Sequence, residues 1–320
     1  MLNPNLRDTC LRPLYLSPMR RSSFTLLAYV LLLSACGTPS IPPVFQTLTT
    51  NLDTLAQRYP AATFAVTILD EQTGLRFNRN GDRLFHAAST MKIPVMIEVY
   101  RQAAQGRFSL DDSMTVVNEF RSIVDGSPYS MDLGDDSDES IYSAIGRKMT
   151  LYDLTYQMIT VSSNLATNLL IDFVTADSVQ ATSERLGTTT MRTLRGVEDI
   201  KAYEQGLSNR ATANDLAILL DALRRGDAVS PEADRAMIDI LLDQHFNEMI
   251  PAGLPDGVRV AHKTGQITEI HHDAALIYPP AGEPYVLVIL IEGFADDRDS
   301  AALGAAIART VHATLRPPAS

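Results

Sequence analysis

Ser89-Thr90-Met91-Lys92 opens a helical pattern that runs to about residue 105, and the fold follows from what this stretch is for. Residues three apart share one helix face, so the Lys92 amine can reach the Ser89 hydroxyl. A serine hydroxyl is a poor nucleophile until a nearby base takes its proton, and burial can lower a lysine pKa enough for that role. At a helix start the Ser89 N–H also points outward, where it can stabilise an oxyanion. Pro94 falls in the first helical turns, where proline is best tolerated. Alone the motif says little. At roughly 6% usage per residue, a chain of this length holds about one Ser-x-x-Lys by chance. A capped helix start with a surface lysine would account for it equally well.

Two further motifs lie downstream. Ser162-Ser163-Asn164 sits between helical stretches at 151–159 and 165–173. A hydroxyl here can relay a proton to a leaving group, and Asn164 can orient the lysine or a substrate amide; a polar turn capping the next helix is the simpler reading. Lys263-Thr264-Gly265 follows the strand-like Val258-Arg259-Val260-Ala261-His262. Its lysine supplies positive charge and its threonine a hydroxyl, together suited to a carboxylate, while glycine lets another group approach the strand closely. An exposed strand end is the alternative.

In this order the three motifs resemble those of the penicillin-recognising serine hydrolases, the β-lactamases and penicillin-binding proteins. The likeness extends to Ile250-Pro251-Ala252-Gly253-Leu254-Pro255-Asp256-Gly257, to Met158-Ile159 and Ala166-Thr167-Asn168-Leu169-Leu170, and to the strand beginning Asp273-Ala274-Ala275. It covers about residues 48–315 and looks most like class A β-lactamases. The resemblance implies Ser89 as nucleophile, Lys92 as its base partner, Ser162 as proton relay and Asn164 as substrate ligand. Lys263 and Thr264 would hold the β-lactam carboxylate beside Gly265. The backbone N–H groups of Ser89 and Gln266 would form the oxyanion hole. Class A enzymes also use a glutamate that activates the deacylating water; Glu198, 36 residues after Ser162, has the expected separation, and Glu204 is a second candidate. Three departures stand out. Ser163 occupies the middle of the second motif, where aspartate is usual. Ala202 stands where an asparagine usually helps hold the water. The closing segment at 209–212 lacks the usual aspartate. The segment between the first two motifs also looks about a dozen residues longer than usual.

The implied fold is α+β, β-lactamase/transpeptidase-like: an antiparallel sheet with flanking helices plus an all-helical domain. The element order agrees with it. Strands at 64–69 and 75–77 come first, then mostly helices at 90–105, 151–159, 165–173, 213–224 and 231–242. Strands return at 258–263, 274–278 and 285–291, before a last helix at about 300–315. Residues 47–85 and 241–320 would make an α/β domain, and 86–240 a helical one. The acid run Asp132, Asp135, Asp136, Asp138 and Glu139 reads as a solvated loop. With 38 acidic against 27 basic residues the net charge is −11, which disfavours nucleic-acid partners. The expected partner is a small-molecule β-lactam, and the expected state a monomer. Among the six histidines, His86, His245, His262, His271, His272 and His312, no zinc spacing occurs, so no metal or cofactor is expected. His271-His272 reads as part of a cleft wall.

The front of the chain is an address. Met19-Arg20-Arg21 begins a basic patch, an apolar run at 24–33 follows, and Ser34-Ala35 precede Cys36. That is an export signal over residues 1–35, with Met19 as an alternative start. Leu33-Ser34-Ala35-Cys36 resembles the lipobox of bacterial lipoproteins. Cys36 would then carry lipid, and residues 36–46 would tether an exported lipoprotein to a bacterial membrane in the cell envelope. Replacing the lipid attachment point, Cys36→Ser, is expected to release the exported protein into the soluble fraction, because stable anchoring needs two or more acyl chains. Complete retention on membranes after a high-salt wash would contradict a lipid anchor.

Overall fold

The apolar run Val286-Leu287-Val288-Ile289-Leu290-Ile291 has no polar face because it lies at the centre of a sheet covered on both sides. The computed structural model describes residues 42–317; the expected export signal and Cys36 lie outside the described residues. Five strands build the sheet: β1 (Thr63–Asp70), β2 (Leu75–Arg79), β3 (Arg259–Ile267), β4 (Ile270–Tyr278) and β5 (Tyr285–Glu292). Their order is β2-β1-β5-β4-β3, every pairing antiparallel.

Side chains alternate across a strand, so each strand contributes to two cores. Phe64, Val66 and Ile68 of β1, with Leu287, Ile289 and Ile291 of β5, face helices α1 (Pro43–Arg58) and α9 (Asp297–Leu315). Leu48 and Leu52 of the former and Leu303, Ile307 and Val311 of the latter complete that layer. Ala65, Val286, Val288 and Leu290 face the opposite way, into the helical part of the chain. Helix α1 begins at Pro43, so the last residues of the expected tether are helical.

The helical part comprises α2 (Lys92–Ala104), α3 (Leu151–Thr160), α4 (Asn164–Val174), α5 (Ala176–Arg185), α6 (Ile200–Glu204), α7 (Ala213–Arg225) and α8 (Pro231–Leu242). Most of these starts carry a side-chain cap: Thr150, Ser163, Thr175, Asp199, Thr212 and Ser230 each accept a backbone N–H from the first turn. Helix α2 is buried nearly all round, its polar Lys92, Glu98 and Gln102 included, and runs through the middle of the helical part. Sequence periodicity anticipates neither α5 nor α6. Only Val179, Thr182 and Ser183 are buried in α5, and α6 is a single short turn, so neither displays an apolar stripe.

The loop over residues 121–148 departs from a solvated acid run. Asp136 and Asp138 are buried there. His271 and His272 also differ from expectation. They are buried within β4, where one His272 ring nitrogen lies 2.9 Å from the His86 carbonyl and the other accepts from the Ile291 N–H, so they are interior side chains rather than a cleft wall.

Gly253, in a short 3-10 turn after α8, packs so closely on α9 that a Cβ there would lie 2.1 Å from the Ala305 carbonyl oxygen. Backbone cannot swing aside as a side chain can. Gly253→Ala is therefore expected to cost about 1–3 kcal/mol, the usual penalty for overpacking. In a thermal melt that corresponds to a Tm lower by roughly 2–4 °C per kcal/mol; an unchanged Tm would show that α9 yields.

Candidate active site

Ser89 lies in a 3-10 turn, Ala88–Met91, that feeds directly into α2. Ala88 holds the left-handed φ of +44°, and Thr90 returns both its N–H and its hydroxyl to the Ala87 carbonyl, at 3.1 and 2.6 Å. The turn rests on β3. A Cβ on Gly265 would come within 3.0 Å of both the Ser89 and Thr90 nitrogens, so glycine is required where strand and turn meet. Lys263 is not at an exposed strand end; β3 continues past it to Ile267.

Lys92 and Lys263 are both completely buried. The Lys92 Nζ bonds the Ser162 carbonyl at 2.7 Å, the Ser162 hydroxyl at 3.2 Å and Asn164 Oδ1 at 2.8 Å. Lys263 Nζ bonds the same Ser162 hydroxyl at 3.0 Å and the Thr264 carbonyl at 2.8 Å. One hydroxyl thus bridges two amines. Its single proton can go to either amine only when that amine is neutral. Burial supplies the neutrality. Desolvation pulls Lys92 down to about 7, although the nearby carboxylates of Asp136 and Glu198 oppose the shift. Lys263 is depressed well below the ordinary lysine range, first by burial and then by the positive charge of Lys92.

On the far side of Lys92 the contacts continue. Asn164 accepts from Lys92 and donates through Nδ2 to Glu198 Oε1 at 2.8 Å. Glu198 itself takes the left-handed φ of +60°, and Ser162 one of +59°. Such conformations cost on the order of 1–3 kcal/mol each and persist only where neighbours over-determine them. Asn168 does this for the Glu198 loop, accepting the Val197 N–H at 2.6 Å and donating to the Val197 carbonyl at 3.0 Å. Asp199 accepts from the Ser122 hydroxyl and the Ile123 N–H, each at 2.9 Å. Asn209 closes the loop, accepting from the Leu194 N–H at 2.8 Å and donating to the Arg195 carbonyl at 2.8 Å. An amide thus ties the segment that lacks its usual aspartate.

Two cavities meet at this point. One, of about 500 Å³, is lined by Ser89, Asn164, Glu198, Tyr203 and Gln266. The other, of about 770 Å³, is lined by Ser89, Ser162, Asn164, Thr264 and Gln266. Ser89, Ser162, Asn164, Glu198, Thr264 and Gln266 therefore converge on the cleft, with Lys92, Lys263 and Gly265 beneath its surface. Glu204 does not join them; it is exposed at the end of α6 and lines neither cavity. Ala202 is buried and offers no polar atom in place of the water-holding asparagine. Sequence reasoning overlooks Asp136 and Ser137, whose contacts with the second motif no spacing rule announces. Among the described residues, no group of three or more His, Cys, Asp or Glu is arranged to hold a metal ion.

Comparison with known proteins agrees with this geometry. The model of the β-lactamase enzyme family matches residues 47–315, and the chain belongs to that family. It is a β-lactamase-like serine hydrolase. It is 28% identical over 273 residues to β-lactamase L2 of Stenotrophomonas maltophilia, covering 83% of this chain and 86% of the relative. A β-lactamase structure from Sphaerobacter thermophilus superposes with a TM-score of 0.72 at 30% identity, over 86% of this chain and 99% of that one. The structure of PBP-A matches with a TM-score of 0.72 at 25% identity, over 84% of this chain and 96% of that one.

The buried amines give a direct test. In a pH titration of the protein with ¹³C-labelled lysine side chains, Lys92 is expected to lose its proton with a midpoint near 7. A midpoint near the ordinary 10.5 would mean that the amine is hydrated or permanently ion-paired.

Proposed function

We propose that the protein hydrolyses the β-lactam amide through an acyl-enzyme on Ser89. The observation that carries this reading is the unbroken run of contacts Lys263–Ser162–Lys92–Asn164–Glu198 bordering the cleft that holds Ser89. Neutral Lys92 takes the Ser89 proton as the hydroxyl attacks the lactam carbonyl. The carbonyl oxygen, now an anion, is held by the N–H groups of Ser89 and Gln266. The proton passes through Ser162 to the departing lactam nitrogen, which completes the ring opening. Lys263 and Thr264 hold the substrate carboxylate. Glu198 then removes a proton from water, which attacks the ester carbonyl; as the ester C–O bond breaks, that proton is returned to the Ser89 oxygen, which regenerates the hydroxyl.

A second reading has support in Ala202 and in the likeness to PBP-A. Without the asparagine that helps hold the water, the ester on Ser89 would persist, and the protein would act as a penicillin-binding D,D-peptidase on peptidoglycan stem peptides. Both readings need the same nucleophile and differ in the fate of the adduct.

The cellular setting is part of the proposal. An exported lipoprotein tethered to a bacterial membrane through Cys36 would meet β-lactams in the cell envelope, working as a monomer.

Intact-protein mass spectrometry with benzylpenicillin separates these possibilities. Ser89→Ala is expected to abolish the covalent adduct. Glu198→Gln should still acylate but accumulate the adduct, because the amide cannot accept a proton. Glu204→Gln should behave as the unmutated protein. Long-lived adduct in the unmutated protein favours the D,D-peptidase, and labelling that survives Ser89→Ala moves the nucleophile elsewhere. The acylation rate should rise with pH through about 7 and then level off, since protonated Lys92 cannot serve as base.

A further inference from the structure

Helix α4 begins at Asn164, two residues after the Ser162 that bonds both lysines, and both residues line the cleft. The first N–H groups of any helix have no partner within it. Here each has one. The Ser163 hydroxyl accepts from Ala166 at 3.2 Å. The other two are taken by a side chain 28 residues upstream: Asp136 Oδ1 accepts the Asn164 N–H at 2.9 Å, and Oδ2 accepts the Leu165 N–H at 2.8 Å. The same carboxylate accepts the Asp138 N–H at 3.1 Å and the Tyr142 hydroxyl at 3.2 Å. Four donors on one buried carboxylate compensate its loss of water. The adjacent Ser137 donates its hydroxyl to the Ser162 carbonyl at 3.1 Å, the carbonyl that also accepts from Lys92.

We propose that Asp136 is a positioning residue for the reaction: from a separate loop it supplies the carboxylate that the second motif itself lacks, and so holds Ser162 and Asn164 against Lys92. Ser163 is neutral, and its hydroxyl accepts one of these N–H groups. Asp136 is the carboxylate that meets the first backbone N–H groups of this helix, beside Ser162 with its strained φ and Asn164 set between Lys92 and Glu198. The inference rests on the acyl-enzyme reading for its effect on rate, though not for its effect on Lys92.

The carboxylate has a second consequence, which separates positioning from mere support of the loop. The charged groups facing Lys92 are Asp136, Glu198 and Lys263, and the first two favour its protonated form. Removing Asp136 while the pocket stays dry lowers the Lys92 midpoint. Removing it from a loop that simply collapses admits water and raises the midpoint toward the ordinary value.

The experiment compares the unmutated protein with Asp136→Asn, Asp136→Ala and the double variant Asp136→Ala with Ser163→Asp. Acylation by benzylpenicillin is followed by mass spectrometry, Lys92 by lysine ¹³C titration and folding by circular dichroism. Asp136→Ala is expected to slow acylation by about 10²-fold, the scale of a misplaced catalytic group, and to move the Lys92 midpoint down. Asp136→Asn should do the same more mildly. Ser163→Asp, which puts a carboxylate at the cap position of the same helix, should recover at least about tenfold of the rate. Unchanged acylation, a Lys92 midpoint that is unmoved or raised, or no recovery in the double variant would each overturn the assignment. If the unmutated protein forms no adduct at all, the acyl-enzyme reading fails, and the Lys92 midpoint alone decides the role of Asp136.

Discussion

Two lysine amines that are fully buried and share one serine hydroxyl are costly to charge together. Lys92 and Lys263 are fully buried and share Ser162, and the rest of the site follows from that constraint. Burial lowers both amines, so the proton that a nucleophilic serine must lose has somewhere to go. The polar atoms around them are then obliged to be satisfied, because an unpaired group in such surroundings costs about 1–3 kcal/mol. Hence Ser162 turns its carbonyl inward, Asn164 presents its oxygen to Lys92 and its nitrogen to Glu198, and the backbone at Ser162 and Glu198 accepts a conformation it would otherwise avoid.

The fold serves this arrangement by bringing an edge strand against a helix start. In the order β2-β1-β5-β4-β3, the strand bearing Lys263-Thr264-Gly265 lies at one side of the sheet. Its glycine lets the Ser89 turn come into contact, and α2 carries the turn into the middle of the helical core. Ala261 of that strand packs into the helical core and Val260 against the opposite layer, so both of its faces are held by apolar contacts. The scaffold and the chemistry thus depend on the same close approach.

Much of this was legible in the residues. Six of the helices and the five strands of the sheet follow from plain periodicity, and the three motifs mark the elements that meet: Ser89 before a helix, Ser163 at a cap, Lys263 in a strand. The separation of Glu198 from Ser162 also identified the glutamate that reaches Asn164. What periodicity did not convey was anything set by tertiary contact alone. Helix α5 is polar over most of its surface, so no stripe announces it. His271 and His272 read as a cleft wall but are buried, the first against the Ser300 hydroxyl of α9 and the second against the His86 carbonyl and the Ile291 N–H of β5. An acid run looks solvated until its carboxylates are seen to find backbone donors, and no local signal tells which of Asp132, Asp136 and Asp138 will do so.

The bonds from Asp136 to the first turn of α4 also bear on how such a site can change over generations. Position 163 and the loop that holds position 136 are not independent characters. A carboxylate at 163 with Asp136 retained would crowd two negative groups at one helix end and raise the pKa of at least one of them. A serine at 163 without Asp136 leaves two N–H groups bare. Either single change leaves the first turn of α4 with one carboxylate too many or too few, so the residue at position 163 and the loop that carries Asp136 depend on each other.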